Sequence, residues 1–254
     1  SQFITALLMA APVCGGLKIK IKGDLISKPY VDLTVKLIEK FGAVVSRNGY
    51  SEFTVEGTGY TSPGSYLIEG DATGATYFAA AAAIGGELEL YGLPEDSVQG
   101  DIKFLDVLAQ MGAKIKKTES SVIIKKSKLH GIDIDMNAMP DAAMTLVPLA
   151  LYTDGPITIR NIASWRVKET DRIEAMVKEM SKLGVKVESG EDYISIDAST
   201  RNDVTPTFDT YNDHRMAMCM SLIAFDRDIV INDPECINKT FPTYFNNLKS
   251  VSKN

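Results

Sequence analysis

A unit of about seventy residues recurs four times along this chain. A sequence with such a period folds into stacked copies of one supersecondary unit, because no single copy can bury its own apolar face. The first landmark is an alternating strand: Ile19 and Ile21, Leu88 and Leu90, Ile157 and Ile159, Ile229 and Ile231. Each ends at a turn former, namely Gly23, Gly92, Asn161 and Asp233, and the steps are 69, 69 and 72 residues. The second landmark is a helix running into Gly42, Gly112 or Gly184, at steps of 70 and 72. Glycine there suits a left-handed helix C-cap. A hairpin follows each glycine, with second strands at residues 53–55, 122–124 and 193–196.

An apolar helix precedes each alternating strand, over residues 2–11, 72–84, 141–152 and 213–225. Pro148 lies inside the third and predicts a kink or an early end. These helices are apolar nearly all round, so they should be buried. The second helix of a copy carries charges, as in residues 32–40 and 171–182, and should keep a wet face. Buried helices surrounded by sheets follow, the reverse of a doubly wound sheet. The fourth copy stops after Leu248 with no room for a hairpin, and nothing precedes the opening helix of the first. Residues 56–64, rich in glycine, serine and threonine, read as a linker, with a domain boundary near Gly70.

Composition narrows the function. The net charge is −6 and there is no lysine or arginine block, which argues against nucleic acid as a partner. No run of about 18 apolar residues occurs, so no membrane span is expected. Residues 1–12 have the apolar look of a signal segment but lack preceding positive charge, the first lysine being Lys18. They read as a helix cut into by a fragment boundary, or as a processed start. Cys14, Cys219 and Cys236 are odd in number without CxxC spacing, which fits a reduced, cytoplasmic protein. With only His130 and His214, a His-rich metal site is excluded.

Polar outliers fall in phase with the repeat. The helix-opening slot holds Gln2, Asp71, Asp141 and Asp213, and the slot after the alternating strand holds Ser27, Ser97, Lys168 and Lys239. Converging helix N-termini offer free N–H groups and partial positive charge, a setting for phosphates. Each residue also has a plain reading. Asp71, Asp141 and Asp213 suit helix caps, Lys168 and Arg172 suit a helix start salt-bridged to Asp171, and Lys239 alone would be a surface lysine. Tyr30 and Trp165 read as packing, His130 as a loop residue. Arg215 is different, because an arginine in a first helical turn opposes the macrodipole and calls for an anion nearby.

The strings Arg166-Val167-Lys168-Glu169-Thr170-Asp171-Arg172 and Tyr211-Asn212-Asp213-His214-Arg215-Met216-Ala217-Met218 carry a specific likeness. With Gly70-Asp71, Pro140-Asp141-Ala142-Ala143-Met144 and Ser27-Lys28-Pro29-Tyr30, they make the chain resemble the 5-enolpyruvylshikimate-3-phosphate synthase family, over its C-terminal three-fifths. The resemblance implies an α/β (α+β) fold of repeated βαβαββ units with buried parallel helices, inside-out and incomplete at the N-terminus. Residues 1–69 would be the last unit of a first lobe and 70–254 a second lobe of three units. It implies a transferase moving the carboxyvinyl group of phosphoenolpyruvate to the 5-hydroxyl of shikimate 3-phosphate. No metal or organic cofactor takes part. The missing N-terminal units would then be a partner, and the chain alone a fragment without activity.

Carried over by motif, Asp141 is the base toward the 5-hydroxyl, Glu169 the proton donor to phosphoenolpyruvate, and His214 a residue that tunes Glu169 or relays a proton. Gln2, Arg172, Arg215 and Lys239 bind phosphoenolpyruvate, and Lys239 also assists catalysis. Ser1, Gln2, Ser27, Tyr30, Asp141, Ser164 and Lys168 bind shikimate 3-phosphate. The family usually has asparagine where this chain has Ser164, whose side chain is shorter and lacks amide donors. A related transferase acting on UDP-N-acetylglucosamine should lack the Lys168–Arg172 and Asn212–Arg215 strings. A non-catalytic binding module of the same fold would leave these charges unconverged.

Overall fold

The computed structural model describes residues 2–252. The chain divides into two compact units, one of residues 2–69 with Asp96–Gly100, the other of Gly70–Glu95 with residues 101–252. The first unit runs α1 (Gln2–Ala10), β1 (Gly16–Lys20), α2 (Lys28–Lys40), β2 (Val45–Asn48) and β3 (Glu52–Glu56). Its sheet is antiparallel in the order β1-β3-β2, with Ile19 opposite Phe53 and Leu17 opposite Val55. Ile4 and Leu8 of α1, Val31, Val35 and Ile38 of α2, and Phe53 and Val55 of β3 close its core. Glu69 receives hydrogen bonds from Ser97 Oγ and Gln99 Nε2, which ties residues 96–100 to this unit.

The second unit begins with α3 (Ala72–Gly85), β4 (Glu87–Tyr91), α4 (Phe104–Gln110), β5 (Lys114–Lys117) and β6 (Ser121–Lys125), its sheet ordered β4-β6-β5. Next come β7 (Ile132–Asp135), α5 (Leu146–Leu149), β8 (Ile157–Arg160), α6 (Arg172–Ser181), β9 (Lys186–Ser189) and β10 (Ile194–Asp197). Here β7 lies parallel to β8, β8 is antiparallel to β10, and the order is β7-β8-β10-β9, a full βαβαββ copy. The last copy holds β11 (Thr207–Phe208), α7 (His214–Ser221), β12 (Val230–Ile231) and α8 (Tyr244–Val251), with β11 parallel to β12.

Helix α3 is buried on nearly every side, from Ala72 through Ile84. Its run of alanines leaves no bulk to hold neighbouring backbones away, and Asp71 caps it by accepting from the Thr73 N–H at 3.0 Å. The matching segments are buried too, over residues 142–151 and 216–223. Neither is one continuous α-helix, which departs from the sequence reading. Residues 142–145 and 150–152 are 3-10 turns flanking α5, and 222–225 is a 3-10 turn after α7. Pro148 supplies the reason in the third copy, since it has no N–H to give and its ring crowds the carbonyl of Met144. The glycines ending the second helices take φ of 83° at Gly42, 101° at Gly112 and 71° at Gly184, the left-handed turn the repeat demanded.

Candidate active site

The site is assembled on the second unit around one guanidinium. Arg172 is the first residue of α6, which Asp171 caps by accepting from the Glu174 N–H. Its Nε donates to Asp213 Oδ2 at 2.7 Å, Nη1 to Asp141 Oδ1 at 2.9 Å, and Nη2 to Glu169 Oε2 at 2.8 Å. Three carboxylates from separate segments are thereby gathered on one planar fork, a geometry that lysine cannot reproduce. The Arg172 side chain is 1% exposed and that of Asp213 fully buried.

Above this floor, Asp141 also meets Arg215 Nη2 at 3.1 Å and Lys168 Nζ at 3.4 Å. Arg215 Nη1 donates to the Tyr77 hydroxyl at 3.3 Å. At the rim, Lys239 donates to Glu169, and the Lys239 side chain is 55% exposed. Both arginines lie in the first turn of a helix, where the dipole opposes them. Asp141 and Asp213 supply the compensating charge.

Local packing sets these positions. The fully buried Trp165 donates its indole N–H to the Pro140 carbonyl at 2.6 Å, so the 163–167 turn that leads to Lys168 is pinned to the segment carrying Asp141. Asp213 caps α7 by accepting from the Arg215 N–H at 2.9 Å. It is fully buried, so its charge is answered by Arg172 rather than by solvent. Just ahead, Tyr211 and Asn212 both hold positive φ, 54° and 56°, a conformation that costs a non-glycine residue on the order of 1–2 kcal/mol. The buried Glu179 accepts from the Tyr211 hydroxyl at 2.6 Å and from the Asp209 N–H at 3.0 Å, and so holds that turn in place.

Electrostatics follow from the geometry. Burial alone would raise the Asp141 carboxyl, but Arg215, Arg172 and Lys168 together overturn it and hold the group at about 2. For Glu169, burial is likewise overcome by the hydrogen bond from Lys239 and the charge of Arg172, again to about 2. His214 is pushed down to about 4 by burial and by Arg215. Its ring nitrogens have no hydrogen-bond partner among the described residues, and Nδ1 stands 3.6 Å from Asp213 Oδ1. At neutral pH it is therefore an uncharged imidazole. No cluster of His, Cys, Asp and Glu able to hold a metal occurs among the described residues.

Asp141, Lys168, Glu169, Arg172, Arg215 and Lys239 thus meet in one place, with His214 beside Asp213. Ser164 is half-buried on the 163–167 turn. Gln2 is exposed on α1, Ser27 is buried ahead of α2 at a left-handed φ of 56°, and Tyr30 is half-buried on α2, all in the first unit. Ser1 lies outside the described residues. Three contributors escaped the sequence reading. For Asp213 the sequence gives a helix cap in the repeat's polar slot, and only the fold shows it as the counter-charge of Arg172. Glu179 was signalled by phase, since an acid there falls on the apolar face with Ile173, Met176 and Met180. Tyr77 gave no signal inside an apolar helix.

A family model described as EPSP synthase (3-phosphoshikimate 1-carboxyvinyltransferase) matches residues 1–248. The 3-phosphoshikimate 1-carboxyvinyltransferase of Aeromonas salmonicida is 51% identical over 100% of this chain and 60% of its own length. That of Shewanella amazonensis is 52% identical with the same coverage. Among solved structures, an EPSP synthase from Acinetobacter baumannii superposes with a TM-score of 0.76 at 22% identity, covering 100% of this chain and 62% of that one. The enolpyruvyl transferase NikO from Streptomyces tendae gives 0.73 at 17%, over 97% and 57%. At such identities these two speak for the fold alone.

The matches correct several expectations. The likeness was expected to mark a C-terminal fragment, with a fold incomplete at its N-terminus, missing N-terminal units as a partner, and no activity of its own. The family model takes in the chain from its first residue to 248, the curated relatives align along all of it, and helices and strands alternate from Gln2 to Val251. The chain spans 60% of the length of those relatives. Among the described residues, no helix is long and apolar enough to cross a membrane. With a family match over residues 1–248 and relatives about half identical along its whole length, the chain belongs to the EPSP synthase (3-phosphoshikimate 1-carboxyvinyltransferase) family.

Proposed function

We propose that this site transfers the carboxyvinyl group of phosphoenolpyruvate to the 5-hydroxyl of shikimate 3-phosphate, releasing phosphate. The observation that carries the reading is the Arg172 fork, which holds Asp141, Glu169 and Asp213 together while Lys168, Arg215 and Lys239 crowd the same carboxylates. Such a site is made for multiply charged anions, since phosphates and carboxylates take bidentate arginine contacts and mobile lysine charges.

The chemistry needs a proton removed from the hydroxyl and one added to the methylene carbon of phosphoenolpyruvate. The hydroxyl oxygen then bonds to C2, giving a tetrahedral intermediate. That intermediate loses phosphate with the C–O electron pair and returns the proton from the methyl group. Asp141 is read as the base and Glu169 as the acid. With no substrate bound, both are held near 2 by the surrounding cations, so Asp141 is a feeble base and Glu169 has no proton to give at neutral pH. Anionic substrates supply the remedy. They draw Arg215 and Lys239 toward themselves, relieve the carboxylates of positive charge, and let both carboxyls rise toward the working range. His214, neutral and buried, shapes this field rather than relaying protons. Ser164, Lys168, Ser27, Tyr30, Gln2 and Ser1 remain the proposed contacts to shikimate 3-phosphate, and Gln2, Arg172, Arg215 and Lys239 those to phosphoenolpyruvate.

The three cysteines are free thiols, which supports a cytoplasmic enzyme. Phosphorus NMR of the protein with both substrates tests the reaction. Free phosphate and the enolpyruvyl ether should appear together, and only with both substrates. Equal phosphate release with UDP-N-acetylglucosamine as acceptor, or none with either, would overturn it.

A further inference from the structure

We propose that Tyr77 is a positioning residue that aims the Arg215 guanidinium at the anionic substrate while leaving its charge intact. Tyr77 lies on α3, and its side chain is fully buried. Its ring packs edge-on against Tyr244, with centroids 5.7 Å apart. Its hydroxyl accepts from Arg215 Nη1 at 3.3 Å, while Nη2 of the same guanidinium reaches Asp141 at 3.1 Å. The fork is therefore steadied on one side by a neutral oxygen and on the other by a carboxylate.

The chemical difference between those two oxygens is the substance of the inference. Arg172 is gripped by Asp213, Asp141 and Glu169, so its charge is answered from within the protein. The phenol gives Arg215 geometry without answering its charge. Burial pushes that phenol up from its ordinary range, so it stays neutral at any working pH. A carboxylate in its place would hold Arg215 as firmly but would compete with an incoming phosphate or carboxylate. Because Tyr77 has no exposed surface here, it does not touch substrate and acts through Arg215.

The inference rests on Arg215 being a substrate-binding group in the reaction above, and its test carries a readout independent of turnover. Tyr77→Phe keeps the ring against Tyr244 and removes only the hydroxyl, whereas Tyr77→Leu also removes the ring. The Arg215 Nε–Hε resonance is identified by its loss in Arg215→Lys. In Tyr77→Phe it should shift and exchange with water on the order of tenfold faster, with the thermal midpoint unchanged. KM for phosphoenolpyruvate should rise on the order of tenfold, the effect of one lost hydrogen bond to a charged group, with kcat much less affected. An Arg215 resonance that is the same in Tyr77→Phe as in the unaltered protein, and disturbed only in Tyr77→Leu, makes Tyr77 a packing residue and overturns the proposal. If the unaltered protein lacks turnover, the reaction assigned above fails, and the Arg215 resonance still decides the role of Tyr77.

Discussion

Arg172 and Asp213 form an ion pair that solvent does not reach, 2.7 Å from Nε to Oδ2, beneath a site whose other charged groups are partly wet. Breaking a buried pair by removing one partner strands a charge, which costs roughly 3–5 kcal/mol. Losing a helix cap costs about 1 kcal/mol. Asp213→Asn keeps a cap and removes the charge, so it should destabilise nearly as much as Asp213→Ala. Urea unfolding of both variants checks this; a loss near 1 kcal/mol in Asp213→Ala with almost none in Asp213→Asn would leave Asp213 a cap and nothing more.

His214 gives stability a pH dependence of definite sign. Its folded value of about 4 lies below the ordinary 6.5. Between those values the unfolded chain takes up a proton that the folded protein refuses, so stability falls as pH drops through that window. His214→Gln should flatten the fall. Chemical denaturation midpoints at about pH 7, 5.5 and 4.5 measure it. Asp141 adds a separate loss lower down, beginning below its ordinary 3.8 and completed as pH falls through about 2.

Lys239 is the exposed cation that holds down Glu169. Removing it in Lys239→Ala should raise the Glu169 carboxyl from about 2 toward its ordinary 4.5, stopping short because Arg172 stays. Carboxyl carbon NMR across a pH titration reads the change. An unmoved Glu169 would show that Arg172 alone sets its charge.

The turn over Tyr211 and Asn212 should be the weak point of the last copy. Tyr211→Phe removes the hydroxyl that donates to the buried Glu179 carboxylate, a charged hydrogen bond worth roughly 1.5–3 kcal/mol. Amide hydrogen exchange should then accelerate across residues 209–215 before it does in α3. Uniform acceleration across both segments would contradict a local role.

Asp141→Asn and Glu169→Gln should each lower kcat by roughly 10²–10⁴, the usual contribution of a positioned acid or base, with circular dichroism unchanged. A loss confined to KM would make them binding groups instead.

Much of the local architecture was legible because it depends on neighbours in the chain. The seventy-residue phase, the alanine-rich buried α3 with its Asp71 cap, and the left-handed glycines at 42, 112 and 184 all rest on short-range rules of periodicity and dihedral freedom. Pro148 announced a disturbance, though not that the third copy would divide into 3-10 turns around α5. The repeat also put Asp141, Lys168, Asp213 and Lys239 in phase, which said that they sit at corresponding ends of their copies.

Phase could not say which charge answers which. Arg172 pairs with Asp213 across 41 residues and Arg215 meets Tyr77 across 138, and the local sequence around each arginine does not name its partner. Pairing of buried charges is decided by which side chains arrive within hydrogen-bond reach once the copies pack, because only direct contact repays the desolvation of both charges. The sequence alone therefore determined the modules and the ends at which they carry charge. Tertiary packing decided that Asp213 forms the floor, that Asp141 is shared among three cations, and that Arg215 leans on a phenol.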